Sequence, residues 1–281
     1  MRCGTSEDDV IDVGAIADGL VRDPAGYWKA PSAEAVSYPA EDSDVCFQVE
    51  ETSFWFAHRN RAITAVADRF PPRGAIVDIG GGNGFVAKAL ADRGHDVVLV
   101  EPSPDGAAHA VSRGLRHVVC GTLAAARFHP ATFGAAGLFD VVEHIEDDVA
   151  FLRSLRPLLA GDAPVYVTVP AYRSLWSVDD DAAGHFRRYS RGTLSAAFAA
   201  AGFDVVFSTY FFAPLPLPIL LLRSLPSRLG MRRRADATEI AREHGGGFGA
   251  RLLRPLLDAE LRRIARGRSI PFGASLLAVA V

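Results

Sequence analysis

An α/β domain with a seven-stranded, mostly parallel sheet is what three features of this sequence predict. From Ser53 onward, short β-branched runs alternate with stretches of helical periodicity, an order that lays helices on both faces of a parallel sheet. The first run, Ile76-Val-Asp-Ile79, passes into a turn holding Gly80, Gly81, Gly82 and Gly84, then into the helical Val86-Ala-Lys-Ala-Leu90. Strand, glycine turn and helix open a nucleotide-binding βαβ unit, so the sheet reads as Rossmann-like. Finally, residues 274–281 form a last apolar strand, separated from a sixth strand at 203–210 by a long insertion.

Composition narrows the function classes. Of 281 residues, 49% are apolar and 22% charged, which suits a globular chain, and the net charge of −3 argues against a nucleic-acid partner. Cys3, Cys46 and Cys120 lie far apart, with neither zinc nor disulfide spacing, so a reducing cytoplasm is expected. The first nine residues are polar and acidic, so no signal peptide is expected. No metal-ligand spacing stands out, so metal-independent chemistry is expected. The apolar run at 210–222 is too short to span a bilayer and contains Pro214, Pro216 and Pro218. It reads as a buried wall or as the contact face of a homodimer, not as a membrane insertion.

Four segments follow. Residues 1–52 are a leader, or a lid that folds over the site from about Tyr38; 53–210 are the core; 211–270 are a helical insertion that covers substrate or joins subunits; 271–281 complete the sheet. In the core, Ser53 caps a helix whose Phe56, Ile63, Val66, Ala67 and Phe70 share one face, and Pro71-Pro72 end it. Packing does not account for every polar and aromatic group on it. Arg59 suits a bidentate pairing with a ligand carboxylate, and Trp55, Phe56 and His58 suit an aromatic substrate wall.

The glycine spacing argues about the ligand. A dinucleotide fingerprint runs G-x-G-x-x-G, whereas Gly80, Gly82 and Gly84 give G-x-G-x-G around Asn83. Asp78, at the strand end, points a carboxylate toward the site. It repels a pyrophosphate and attracts an ammonium or sulfonium. The second strand, 96–101, ends in Glu101, roughly 20 residues further on, where an acid accepts both hydroxyls of a ribose. Pro102 stops that strand beside the ligand.

Asp78-Ile-Gly80-Gly-Gly82-Asn-Gly84 resembles motif I of the class I S-adenosylmethionine (SAM) methyltransferases, D/E-x-G-x-G-x-G. Residues 139–148, Phe-Asp-Val-Val-Glu-His-Ile-Glu-Asp-Asp, resemble motif IV in the form found in the ubiquinone-biosynthesis-like branch of small-molecule methyltransferases. The resemblance implies SAM as cofactor, with Phe139 and Asp140 at its sulfonium end and His144 beside the methyl group. It also implies an adenine contact after the third strand. The family often has an acid there, but this chain has Thr122, followed by Leu123, whose amide is the remaining donor.

The long loop after the fifth strand, 171–190, resembles the acceptor loop of the same branch through Pro-Ala-Tyr-x-x-Leu-Trp-Ser and Gly-His-x-Arg-Arg-Tyr-Ser. Its Tyr172, Trp176, Arg188 and Tyr189 are expected to line an acceptor pocket. A histidine near neutral pKa takes a proton from a hydroxyl or amine as it is methylated. His185 is the first choice of base and His144 the second. Arg187 and Arg188 either bind an anionic acceptor or pair with Asp179–Asp181.

The expected reaction moves a methyl group from SAM to an oxygen, less readily a nitrogen or carboxylate, of a small molecule such as a secondary metabolite or sugar. Two rivals stand. An NAD(P)-dependent oxidoreductase shares the βαβ start and Glu101, but Asp78, the glycine spacing and the lack of a Tyr-x-x-x-Lys pattern disfavour it. A non-catalytic SAM-binding protein fits the loss of the acid at Thr122, but not the aromatics and histidine of the 171–190 loop.

Overall fold

Nine strands, rather than seven, form the sheet of the computed structural model, which describes residues 11–31, 47–231 and 248–281. The two additions are β1 (Val21–Arg22) and β2 (Trp28–Lys29). The expected seven follow as β3 (Ile76–Ile79), β4 (Val97–Glu101), β5 (His117–Cys120), β6 (Ala135–Phe139), β7 (Val165–Pro170), β8 (Val205–Phe211) and β9 (Ser275–Ala280). They are ordered β1-β2-β5-β4-β3-β6-β7-β9-β8. β9 runs antiparallel to both neighbours, and β3 through β7 are parallel.

The extra strands correct the reading of residues 11–31 as a leader. β2 pairs in parallel with β5, Trp28 opposite Val119, and the Ala30 amide donates to the Cys120 carbonyl at 3.0 Å. Without them β5 would present a row of unpaired main-chain groups. Strands of two residues have no period to read, so the pattern was invisible. Of the lid expected from Tyr38, residues 38–46 lie outside the described residues, as do Cys3, the basic 232–234 and the glycines 245–247; its described end stacks Phe47 on His109 and pairs Glu50 with Arg113.

Helices cover both faces. On one lie α1 (Phe54–Arg69), α2 (Phe85–Ala91) and α3 (Pro104–Ser112). The other carries α4 (Leu123–Ala126), α5 (Asp148–Leu155) and, after the short α6 (Val178–Ala182), α7 (Arg191–Ala200). The insertion contributes α8 (Phe248–Ala265), which packs against α1. Ile63, Val66, Leu90 and Leu99 are fully buried on the α1 side, each contributing about 1.5–3 kcal/mol by leaving water. Val98, Leu138, Val167 and Phe198 fill the other side.

The caps are those the sequence offers. Ser53 Oγ accepts from the amides of Trp55 and Phe56 at 3.2 and 3.4 Å, and Ser190 forms a capping box with Thr193. α5 stops at Leu155 because Pro157 lacks the amide that continuation needs. In the 210–222 run, Phe211 and Phe212 are buried, while Leu217, Leu221 and Leu222 are exposed. Among the described residues no helix is long and apolar enough to cross a membrane.

Candidate active site

β3 lies between β4 and β6, so the chain reverses its direction of travel across the sheet there. Ligands of open α/β sheets bind at that switch, outside the carboxyl ends of the strands. Glu101 ends β4 and Phe139 ends β6, with Asp140 the next residue.

The glycine loop is shaped by what surrounds it. A side chain at Gly81 would collide with Leu99 and with the Asp78 carboxylate, 2.7 and 2.9 Å from its first carbon. Gly82 is different. Its φ is +53°, and a first side-chain carbon there would meet nothing within 4 Å. The main chain is thus bare on that side, where a ligand can approach it. The Gly82 amide donates to Glu101 Oε2 at 2.8 Å, and the Ser103 amide to Oε1 at 2.8 Å. Each oxygen keeps a lone pair for a further donor. Burial raises the Glu101 pKa, against the pull of those two amides.

Asp78 sits differently from the expectation. Its side chain is fully buried beneath the loop rather than pointing into the cleft, with no side-chain partner and the Ala87 amide as its hydrogen-bonding neighbour. Strand alternation explains this: with Ile76 it faces the α1–α2 side. Burial pushes its pKa up to about 7, against the pull of Arg59 and with a further push from Glu101. At that pKa the group is divided between neutral and charged forms near neutral pH, and a cation above the loop would favour the charged form.

Arg59 reaches from α1 to pair with Asp140, whose other oxygen accepts from Thr168 Oγ1 at 3.0 Å. Asp140 has φ +59°, a left-handed conformation costing on the order of 1–3 kcal/mol in a non-glycine residue. That turn aims it at Arg59. Phe139 is buried core, its ring lodged against Gly137. Asn83 is buried and bonds His109 Nδ1 at 3.0 Å. Pro102, Thr122 and Leu123 are half-buried at the adjoining ends of β4 and β5, and Thr122 caps α4 through the Ala125 amide at 3.1 Å.

The acceptor-side residues divide. Phe56 lies edge-on to Phe85, with Arg59 over its face, at the mouth of the glycine loop. Trp55 stacks on Phe212 at 3.8 Å. His58 does not line a pocket. It is buried and bonds Glu260 of α8 at 2.7 Å, and Glu260 also accepts the Phe212 and Ala213 amides at 2.7 and 2.8 Å. The insertion is clamped to α1 by that carboxylate, which nothing in the sequence marks.

The 171–190 loop is tied internally. Asp180 is buried and accepts Arg188 Nε and Nη2 at 2.6 and 3.0 Å, the Ser177 amide at 2.9 Å, and His185 Nδ1 at 2.9 Å. Burial alone would raise its pKa, but His185 and Arg188 hold it down to about 2. Arg187 pairs with Asp148 at 2.8 Å, so both arginines are committed to carboxylates. Tyr189 is buried and its hydroxyl donates to Asp148 at 2.7 Å. Tyr172, Trp176, Arg188 and Tyr189 border an open cavity of about 820 Å³ that also touches Asp148 and Thr193.

His144 and His185 do come together. Their rings lie 4.6 Å apart, nearly perpendicular. Burial, then the neighbouring His185, lowers the His144 pKa to about 4. Glu143, beside it, is 1% exposed. Burial and then Asp140 raise its pKa.

Comparison with known proteins decides the family. A family model described as a methyltransferase domain matches residues 52–207, more than half of the chain. The chain belongs to this methyltransferase family. Two probable S-adenosylmethionine-dependent methyltransferases from strains of Mycobacterium tuberculosis are 26% identical over 224 residues, covering 78% of this chain and 70% of theirs. An SAM-dependent methyltransferase of Thermotoga maritima shares the fold at TM-score 0.51 and 19% identity, over 86% of this chain and 94% of that one. Phosphoethanolamine N-methyltransferase 2 of Haemonchus contortus, solved with SAM, shares it at TM-score 0.54 and 18% identity, over 86% and 57%. The methyltransferase takes SAM as its cofactor, and the oxidoreductase and non-catalytic readings fall.

The residues present fit that cofactor. The bare face at Gly82 and the spare lone pairs of Glu101 suit the adenosyl ribose. Arg59 suits the amino-acid carboxylate. The Asp78 carboxyl, buried under the loop, would gain charge beside a cationic ligand and attract it.

Proposed function

We propose that this methyltransferase methylates an oxygen of a small-molecule acceptor that enters between the 142–144 turn and the 171–190 loop. The carrying observation is the half-buried imidazole pair of His144, beside Asp140, and His185, held by Asp180. An amine attacks as its neutral form and needs little help, whereas a hydroxyl must lose its proton as the new bond forms. Two imidazoles at the end of β6 suit that second case.

When bound, SAM supplies a methyl group on a cationic sulfur, an electrophile that needs only an aligned nucleophile. Glu101 accepts the ribose hydroxyls while the Gly82 and Ser103 amides fix its two oxygens. Arg59 exchanges part of its pairing with Asp140 for the ligand carboxylate. His185, whose ring Asp180 fixes, meets the acceptor oxygen and assists loss of its proton, while His144, with its pKa lowered to about 4, is the weaker base. Phe56 and Trp55 exclude water, so alignment supplies most of the rate.

The test is a panel of small hydroxyl, amine and carboxylate acceptors incubated with methyl-labelled SAM, with products identified by mass and fragmentation. Label on oxygen of a hydroxyl acceptor is expected. Label found on nitrogen alone would sink the reading.

A further inference from the structure

The open cavity of about 820 Å³ beside the 171–190 loop falls in the size range of small-molecule sites. We propose that it is an anion subsite of the acceptor pocket, in which Arg173 and Arg228 take a phosphate group carried by the acceptor and Tyr172, Trp176 and Phe186 hold the acceptor's body. The inference rests on the small-molecule acceptor reading above and names the chemical class of that acceptor.

Charge carries it. The guanidinium groups of Arg173, Arg187, Arg188 and Arg228 line the cavity, and Asp148 is the sole carboxylate among the described lining residues. Arg187 is committed to Asp148, and Arg188 to the buried Asp180. Asp148 also accepts the Tyr189 hydroxyl at 2.7 Å. Arg173 and Arg228, by contrast, have no carboxylate partner among the described residues. Two unneutralised cations therefore border one cavity. An oxyanion meets that charge, and a neutral or cationic acceptor does not. Each guanidinium is a planar fork that matches the oxygens of a phosphate or carboxylate, and two forks suit the larger charge and extra oxygen of a phosphate better.

Neighbouring contacts hold these groups in place. Arg228 ends the helical turn Leu225–Arg228 of the insertion. Its Nη2 donates to the Ser174 carbonyl at 2.8 Å, and the adjacent Ser227 Oγ accepts the Val178 amide at 2.9 Å. The insertion is thereby docked on the 171–190 loop, and the rest of the Arg228 fork is left for a ligand. Arg173 follows Tyr172, whose φ of +56° turns the chain after β7. The Tyr172 ring stacks on Tyr210 at 5.0 Å, and Trp176 Nε1 donates to Asp181 at 3.0 Å, so both rings are fixed. Phe186 is 47% exposed, a large apolar ring with room for a ligand against it.

The cavity adjoins the chemistry. Phe186, Arg187 and Arg188 all line it and directly follow His185, and the Phe186 amide donates to the Glu143 carbonyl at 2.8 Å. The lining thus runs straight into the proposed base and the 142–144 turn. A phosphate held by Arg173 and Arg228 anchors the acceptor at a point remote from its reacting oxygen, and that binding energy orients the oxygen for attack.

The experiment titrates the full chain, saturated with S-adenosylhomocysteine, with phenyl phosphate, benzoate and phenol by calorimetry. Phenyl phosphate should bind tightest and phenol weakest, with at least about a 10-fold gap between those two. The gap should narrow as sodium chloride is raised. Arg173→Ala and Arg228→Ala should each weaken phenyl phosphate by about 10–100-fold. Arg228→Lys should weaken it less, because it keeps the charge and loses only the fork. Arg116→Ala, at an exposed arginine just before β5 and so at the opposite end of the sheet, should leave it unchanged. S-adenosylhomocysteine should bind every variant as it binds the wild type, which reports an intact fold. Among hydroxyl acceptors, a phosphorylated one should show the lower KM, and Arg173→Ala should raise that KM with little change in kcat. Phenyl phosphate that binds no tighter than phenol overturns the proposal, as does phenyl phosphate binding that Arg173→Ala and Arg228→Ala leave intact. Label on nitrogen alone, with phenyl phosphate binding lost in both variants, removes the oxygen reading and leaves the subsite standing. Label on the oxygen of acceptors that bind equally well without a phosphate removes the subsite and leaves the oxygen reading.

Discussion

At the glycine loop, main-chain amides of Gly82 and Ser103 converge on Glu101, and Asp78 lies buried below with no side-chain partner. At the 171–190 loop, by contrast, Asp180, Arg187, Arg188 and Tyr189 all have side-chain partners. The cofactor half is made of backbone amides and two buried acids. The acceptor half is made of side chains that largely satisfy one another. What the acceptor half leaves for chemistry is a small set at its inner end: Glu143, His144 and His185. The difference teaches where each half can be damaged. Changes at the first should act on cofactor affinity, and changes at the second on turnover or on loop stability.

The largest effect separates the halves most cleanly. His185→Ala should lower turnover by about 10²–10⁴-fold, the range for loss of a group that assists proton removal, with S-adenosylhomocysteine affinity within about threefold of wild type. Equal losses in both would merge the two halves. Next comes the clamp between α1 and α8. Glu260→Ala leaves His58 and two amides without their acceptor, and should cost about 3–5 kcal/mol in urea denaturation. A cost below about 1 kcal/mol would mean that the insertion does not lean on this carboxylate.

A pH series sharpens the account of Asp78. Its folded pKa, about 7, lies above its ordinary 3.8. The folded chain therefore holds the proton more firmly than the unfolded chain does. Stability from this group is fully present below about pH 4 and is lost as pH rises through about 7. The loss is at most about 4 kcal/mol. Asp78→Asn should flatten that part of the stability profile of the cofactor-free protein, and an unchanged profile would contradict the assignment. The smallest effect is local. Tyr189→Phe removes one hydrogen bond to Asp148, which keeps Arg187, so about 1 kcal/mol of stability is expected to go.

How much could be read beforehand follows the same division. Seven strands, the Ser53 and Ser190 caps, the glycine turn and Glu101 are local patterns, visible in spacing and residue type. β1 and β2 are too short to carry a period, and tertiary pairing alone creates them. His58 looked like a substrate contact because its partner, Glu260, lies 202 residues away in a helix with no mark of function. Asp180 was hidden in the run Asp179–Asp181, where only burial tells one acid from its neighbours. Glu143 was legible as part of its motif, but its convergence with His185 depends on a loop closure that no spacing reveals.

The most direct measurement is calorimetric titration with S-adenosylhomocysteine of the wild type, Glu101→Ala and His185→Ala, side by side. The account predicts micromolar binding by the wild type, at least a 100-fold loss in Glu101→Ala for two charge-assisted hydrogen bonds, and no loss in His185→Ala. Undiminished binding by Glu101→Ala, or a matching loss in His185→Ala, would contradict the division of the site into a cofactor half and an acceptor half.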